Sequence, residues 1–90
     1  MREQVRSLIG ESLRTKTGRP FEVVDVTDST VRYTVNGKPY MGRLATIEDA
    51  AKLVRDGGSL HAPGDIARVA PTSRSRAYEW AVLKRLGIVT

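Results

Sequence analysis

The sequence predicts a single α+β domain: an N-terminal helix, a three-stranded antiparallel β-meander, and a C-terminal unit of three helices. Three observations support this. The first apolar residues follow helical spacing, and residues around Asn36 and Gly37 alternate as in strands. From residue 46 onward, three helical patterns are separated by glycine and proline. Because 90 residues provide one modest core, the domain is expected to span residues 1–90.

The first predicted helix rests on one apolar stripe at positions i, i+3, i+4 and i+8. The stripe consists of Val5, Leu8, Ile9 and Leu13. Gly10 lies inside this pattern, where glycine costs about 1 kcal/mol relative to alanine. Gly18 and Pro20 are expected to end the helix.

The β region is predicted from three short segments. Residues 21–26 are rich in strand formers, and residues 31–35 alternate between apolar and polar. Asn36-Gly37 is typical of a type I′ hairpin turn, since both residues tolerate positive φ, and 38–41 is the returning strand. Pro39 cannot donate a ladder hydrogen bond, so this strand is expected at the edge of the sheet.

Three helices are predicted after the sheet. The first has Thr46 as its N-cap, with Asp49 where a capping box needs an acid, and it ends before Gly57. The second spans 63–70, between Pro63 and Pro71. The third begins at Thr72 or Ser73 and continues to Leu86, after which Gly87 is expected in the left-handed C′ position.

The chain is basic, with a formal net charge of +5. Residues 1–20 contain five basic residues and two acidic ones. Residues 21–45 contain three of each kind, and residues 46–90 contain seven basic and five acidic residues. A basic excess at the two ends favours an anionic partner such as nucleic acid. The chain has no cysteine and no apolar run of membrane-spanning length, so we expect a cytoplasmic domain without disulfides or membrane contact.

The C-terminal pattern resembles the helix-turn-helix of bacterial DNA-binding domains, including winged-helix types. Asp65-Ile66-Ala67 matches the opening of the family's first helix, Ser73-Arg74-Ser75 the start of its recognition helix, and 86–89 the Leu-Gly-Ile-Val that follows. The resemblance covers about residues 46–89. It departs from the family at Pro71, where the turn usually carries glycine, and in placing the hairpin before the helices.

The resemblance implies double-stranded DNA as the partner and the last helix as the reader. Arginine near the start of such a helix contacts guanine or phosphate, and hydroxyl side chains contact phosphate. Arg74 and Arg76 would contact bases or phosphates. The predicted DNA-binding residues are Arg68, Ser73, Arg74, Ser75, Arg76, Tyr78, Lys84 and Arg85. A homodimer would increase affinity and specificity.

The placement of Trp80 is left open by the sequence. The amphipathic pattern of the last helix buries Tyr78, Val82 and Leu86, which would leave Trp80 exposed between Arg76 and Lys84 as a partner surface. Alternatively the helix packs on two sides and buries Trp80. The rival function to DNA binding is therefore a protein-interaction module that uses Trp80 or the edge strand at 38–41.

Catalysis has little support in the sequence. His61 is the single histidine and has no matching zinc ligands, so no metal or other cofactor is expected, and no small-molecule substrate. Glu22, Asp25 and Lys38 are residue types found in magnesium-dependent nucleases, but carboxylates at strand ends are commonplace. We therefore expect a non-enzymatic protein.

Overall fold

The computed structural model describes all residues, 1–90, and contains one four-stranded antiparallel sheet in the order β1-β2-β3-β4. Helix α1 precedes the sheet, and helix α2, a 3-10 helix and helix α3 follow it. The elements are α1 (Arg2–Arg6), β1 (Ser12–Arg14), β2 (Pro20–Val26), β3 (Thr30–Val35), β4 (Lys38–Arg43), α2 (Leu44–Arg55), the 3-10 helix (Pro63–Arg68) and α3 (Arg76–Arg85). The α+β class is as predicted.

Helix α3 crosses the covered face of the sheet from one edge to the other. The ring of Tyr78 lies 5.1 Å from that of Phe21 on β2, and 5.6 Å from those of Tyr33 on β3 and Tyr40 on β4. The consecutive residues from Tyr78 to Leu83 are all buried, because the sheet packs on one side of α3 and α2 with the 3-10 helix on the other. The prediction of two-sided packing is confirmed.

The N-terminal helix is much shorter than predicted, and the sheet has a fourth strand. Helix α1 ends at Arg6, and Gly10, with φ +89°, lies between it and β1. Leu13 is buried, but as part of β1, where it pairs with Phe21 of β2. A single apolar residue at i+8 fits a strand as well as a helix, so the spacing misassigned this segment.

The hairpin between β3 and β4 is as predicted. Asn36 and Gly37 adopt φ +52° and +76°, and Val35 pairs with Lys38 across the turn. Strand β4, with Pro39, lies at the edge of the sheet. The register places Arg32, Met41 and Arg43 on the uncovered face, opposite the buried row of Val31 and Tyr33.

Helices α2 and α3 begin at other residues than predicted, and both end close to the predicted glycines. Helix α2 starts at Leu44 directly after β4, so Thr46 is a buried residue of its first turn rather than the N-cap. Gly57 ends α2 with φ +94°. Helix α3 starts at Arg76 and ends in a Schellman motif, in which Ile88 N–H donates to Leu83 O at 2.9 Å.

The second predicted helix is a 3-10 helix that starts at Pro63 and ends at Arg68. The Asp65 carboxylate accepts hydrogen bonds from the backbone N–H groups of His61, at 2.7 Å, and Ala62, at 3.2 Å. The first of these bonds holds the pKa of Asp65 below its ordinary value. Asp65 therefore fixes the start of this helix. No helix of the chain has both the length and the apolar character needed to cross a membrane.

Candidate functional site

A cleft lies at the edge of the sheet, where β4 passes into α2. It has a volume of about 420 Å³ and is lined by the end of β4, the first turns of α2 and the segment 69–75 before α3. Its lining residues include two arginines and four residues with a hydroxyl side chain. We call it the arginine cleft, defined by Arg43, Thr46, Thr72, Ser73 and Arg74.

The two arginines of the cleft have no polar partner inside the protein. Five other arginine side chains form hydrogen bonds or ion pairs within the protein: Arg2, Arg14, Arg68, Arg76 and Arg85. Arg43 and Arg74 are exposed and form none of these bonds. Their charges are therefore available to an anion.

The start of α2 adds to the positive character of the cleft. Arg43 is the N-cap residue of α2, no side chain caps this helix, and its first turn contains no acidic residue. The backbone N–H groups of such a turn carry partial positive charge and lack intrahelical partners. Asp49, one turn further on, is the single acidic residue of the lining and opposes this field.

A buried carboxylic group lies behind one wall of the cleft. Glu79 of α3 has no exposed surface, and its Oε1 accepts a hydrogen bond from Ser73 Oγ at 2.7 Å. Its Oε2 has no hydrogen-bond partner. Burial raises the pKa of Glu79, while hydrogen bonds from Ser73 and Ser75 and the charge of Arg76 act in the opposite direction.

The space for this carboxyl group is provided by Gly42 of β4. A Cβ atom at position 42 would lie 2.7 Å from Ser75 Oγ and 3.1 Å from Glu79 Oε2. The strand therefore passes directly over the polar cluster, with no side chain between them. Gly42, Ser73 and Ser75 also line the arginine cleft, so the cluster and the cleft share a wall.

Tyr33 of β3 is the second unpartnered polar group of this region. Its hydroxyl is buried without a hydrogen bond, and the residue is 1% exposed. Burial, with a further contribution from the nearby charge of Glu79, raises the pKa of Tyr33 far above its ordinary value. Tyr33 is therefore neutral throughout the physiological range.

Arg76 holds the segment that precedes α3. Its Nε donates to Ser73 O at 3.1 Å, and one of its terminal nitrogens donates to Pro71 O at 3.0 Å. The sequence predicted this arginine as a DNA contact. In the structure its guanidinium instead binds the backbone of the segment that carries Arg74.

Two further residues of the predicted DNA-binding surface are buried, and so is Trp80, the possible partner surface. Ser75 is the N-cap residue of α3 and faces the Glu79 cluster, and Tyr78, 7% exposed, belongs to the aromatic core. Trp80 is 3% exposed, so of the two placements that the sequence left open the buried one is observed, and Trp80 belongs to the core rather than to an exposed partner surface. The side chains of Tyr78 and Trp80 therefore offer little surface to a partner while the protein is folded.

The remaining predicted contacts lie away from the arginine cleft. Lys84 and Arg85, at the end of α3, line a small groove together with Arg14 of β1. Arg85 forms an ion pair with Glu11, in which its Nη2 lies 3.0 Å from Glu11 Oε1. Arg68 donates to Ser59 O at 2.6 Å. The structure thus brings Ser73 and Arg74 together at one end of α3 and Lys84 and Arg85 at the other.

The C-terminal unit differs in geometry from the helix-turn-helix that its sequence resembles. Its first member is a 3-10 helix, and seven residues, 69–75, separate it from α3. Six consecutive residues of α3 are buried, from Tyr78 to Leu83. A recognition helix needs an exposed face to enter the major groove, and α3 offers one only at its ends.

The residues considered for a nuclease site do not converge. Glu22 pairs with Thr34, and Asp25 with Arg32, on the uncovered face of the sheet, whereas Lys38 pairs with Val35, whose side chain is buried on the other face. No group of three or more His, Cys, Asp or Glu residues is close enough to hold a metal ion. His61 is exposed, and its backbone N–H donates to Asp65.

Sequence reasoning missed Arg43, Gly42 and Glu79. The position of Arg43 at a junction of strand and helix gave no local signal, because the expected N-cap was Thr46. A signal for Glu79 was present: it stands between Tyr78 and Trp80 in a helix expected to pack on two sides, one turn after Ser75. A carboxylate so placed is buried together with its hydroxyl partners.

Comparison of the chain with known protein families, with curated proteins and with solved structures gave no match.

Proposed function

We propose that this protein is a small non-enzymatic DNA-binding protein whose arginine cleft binds the phosphate backbone. The observation that carries the proposal is that Arg43 and Arg74, whose guanidinium groups have no partner in the protein, both line one cleft together with four residues that carry hydroxyl groups. Guanidinium groups bind phosphate oxygens through two parallel hydrogen bonds, and hydroxyl side chains donate to the same oxygens. The net charge of +5 supports the same class of partner.

The proposal keeps two of the residues predicted from the helix-turn-helix resemblance and moves the centre of the surface. Ser73 and Arg74 remain contacts, because both line the cleft. Arg43 takes the place of Arg76, whose guanidinium is occupied by backbone carbonyls. Phosphate contacts position a protein on DNA without reading its sequence, so the cleft accounts for affinity rather than sequence specificity.

The test is a fluorescence-anisotropy titration of mixed-sequence duplex DNA at several salt concentrations. Wild type is compared with the double variant Arg43→Gln/Arg74→Gln. Each lost phosphate contact reduces the slope of log K against log salt by about 0.9, so the double variant is expected to lose about two units of slope.

The matched control is Arg6→Gln/Arg55→Gln, which removes the same charge at two exposed positions outside the cleft. This variant should bind almost as wild type does. Equal losses in both variants would mean that DNA responds to net charge alone. Absence of binding by wild type at about 50 mM salt, where phosphate contacts are strong, would refute the proposal.

One observation favours the rival function of protein interaction. Met41, on the edge strand β4, is 64% exposed, and Tyr40 beside it is 41% exposed. An edge strand with exposed apolar side chains is a surface for pairing with another chain. A Met41→Lys variant that abolishes self-association in sedimentation velocity, while wild type dimerises, would support this function.

A further inference from the structure

The buried carboxyl group of Glu79 is connected to the arginine cleft through one short segment. Ser73 donates its hydroxyl hydrogen to Glu79 Oε1, and the backbone oxygen of the same Ser73 accepts from Arg76 Nε. Pro71 O accepts a second hydrogen bond from Arg76. The segment from Pro71 to Ser75, which carries Arg74, is thus held at one point by the carboxyl group and at two points by the guanidinium.

The environment of this carboxyl group suits its neutral form. Around Glu79, β3 contributes the neutral hydroxyl of Tyr33, β4 contributes Gly42 without a side chain, and the turn before α3 contributes Ser73 and Ser75. Arg76, in the first turn of α3, is the cation whose charge acts on Glu79. A buried negative charge is costly unless a cation pairs with it, and Glu79 Oε2 has no hydrogen-bond partner, so loss of the proton favours a rearrangement of its neighbours.

We propose that the proton on Glu79 controls the segment from Pro71 to Ser75, so that the arginine cleft is ordered when Glu79 is protonated and released when it is ionised. On ionisation, the guanidinium of Arg76 moves from the carbonyl oxygens of Pro71 and Ser73 to the carboxylate. The proton leaves to solvent, and no other covalent bond changes. The effect on DNA affinity rests on the proposed function, whereas the effect on the segment does not.

The structural part is tested by NMR between pH 5 and pH 9. The side-chain carboxyl carbon of Glu79 reports its ionisation, and the amide signals of Ser73, Arg74 and Ser75 report the segment. The segment signals are expected to move with the same midpoint as the Glu79 carbon. In Glu79→Gln, which retains an oxygen to accept from Ser73 and cannot ionise, the segment signals should lose this transition.

A second variant tests whether the ionisation of Glu79 acts on the segment through Ser73, in a protein that still folds. Ser73→Ala removes the hydroxyl that joins the carboxyl group to the segment, at a half-buried position where little packing is lost. In this variant Glu79 still ionises, and the segment response is expected to weaken. Segment signals in wild type that do not follow the Glu79 carbon, or a Glu79 that stays in one state across the whole range, would overturn the proposal.

The functional part is tested by DNA affinity in the same pH range. For wild type, the dissociation constant is expected to rise above the Glu79 midpoint, approaching about tenfold per pH unit if only the protonated form binds. Glu79→Gln should bind with the protonated-form affinity throughout, and because both proteins contain His61, their difference isolates Glu79. A moving segment without DNA binding at any pH refutes the proposed function alone, whereas DNA binding with equal pH dependence in both proteins refutes the control by Glu79.

Discussion

Gly42 is the residue on which the polar cluster depends most directly. Its missing side chain leaves room for Ser75 Oγ and Glu79 Oε2, which would lie 2.7 and 3.1 Å from a Cβ atom. Gly42→Ala is therefore expected to lower the free energy of unfolding by about 1–3 kcal/mol, as overpacking does. Chemical denaturation measures this loss.

The control for that substitution is Gly64→Ala. A Cβ atom at position 64 would meet nothing within 4 Å, and the backbone there does not have a positive φ. This variant should be as stable as wild type or slightly more stable, because alanine narrows the unfolded ensemble. Equal stability of Gly42→Ala and wild type would show that the carboxyl group can move aside freely.

Glu79 gives the protein a pH dependence of the opposite sign to that of an ion-paired carboxylate. Its pKa is raised in the folded state because of burial. The folded state therefore binds the proton more tightly than the unfolded state. The stability due to this proton is fully present below the unfolded pKa, about 4.3, and is lost as the pH rises through the folded pKa.

Glu79→Gln should remove this dependence. Relative to wild type, the variant is expected to gain free energy of unfolding as the pH rises from 5 to 8, measured by urea denaturation at each pH. The comparison cancels the contributions of groups that both proteins share. A constant difference between the two proteins across this range would contradict the assignment.

At the scale of the element, the end of α3 needs glycine at position 87 because of its backbone conformation, and not because a side chain there would clash with a neighbour. Gly87 adopts φ +78°, yet a Cβ atom there would meet nothing within 4 Å. Gly87→Ala is expected to cost about 1–2 kcal/mol, the penalty for a left-handed backbone, with no change in the core. Thermal unfolding together with near-UV circular dichroism checks both parts. A stability equal to that of Gly64→Ala would show that the Schellman motif is dispensable.

Elements defined by local signals were predictable from the sequence, and elements defined by distant pairing were not. Asn36-Gly37 and Gly87 are residue types that adopt positive φ readily, so the hairpin and the end of α3 followed from a few residues. Strand β1 exists because Leu13 pairs with Phe21, a contact that helical spacing cannot reveal.

The residues of the arginine cleft likewise fall into those that the sequence predicted and those that it did not. Ser73 and Arg74 were found from their position before a helix. Arg43 and Gly42 reach the same place only because α3 crosses beneath β4, a contact between segments about thirty residues apart. Residues that meet through the tertiary fold leave no local pattern in the sequence.

At the scale of the whole molecule, the distribution of charge matters more than its sum. Asp49 lines the arginine cleft, whereas Asp56, at the other end of α2, does not. Asp49→Asn is expected to tighten DNA binding by about two- to fivefold through loss of a nearby repulsion, and Asp56→Asn by less. Anisotropy titrations at one low salt concentration compare them. Equal gains would show that the cleft has no special place in the binding.

The passage of β4 over the polar cluster has a consequence for how this protein can evolve. A side chain at position 42 and the serine–glutamate pair at 75 and 79 occupy the same volume, so a lineage can keep one or the other. Among descendants of this sequence, replacement of Gly42 should therefore be accompanied by smaller or apolar residues at positions 75 and 79. Correlated change at these three positions would show that the buried cluster of Ser75 and Glu79 is retained or lost as a unit.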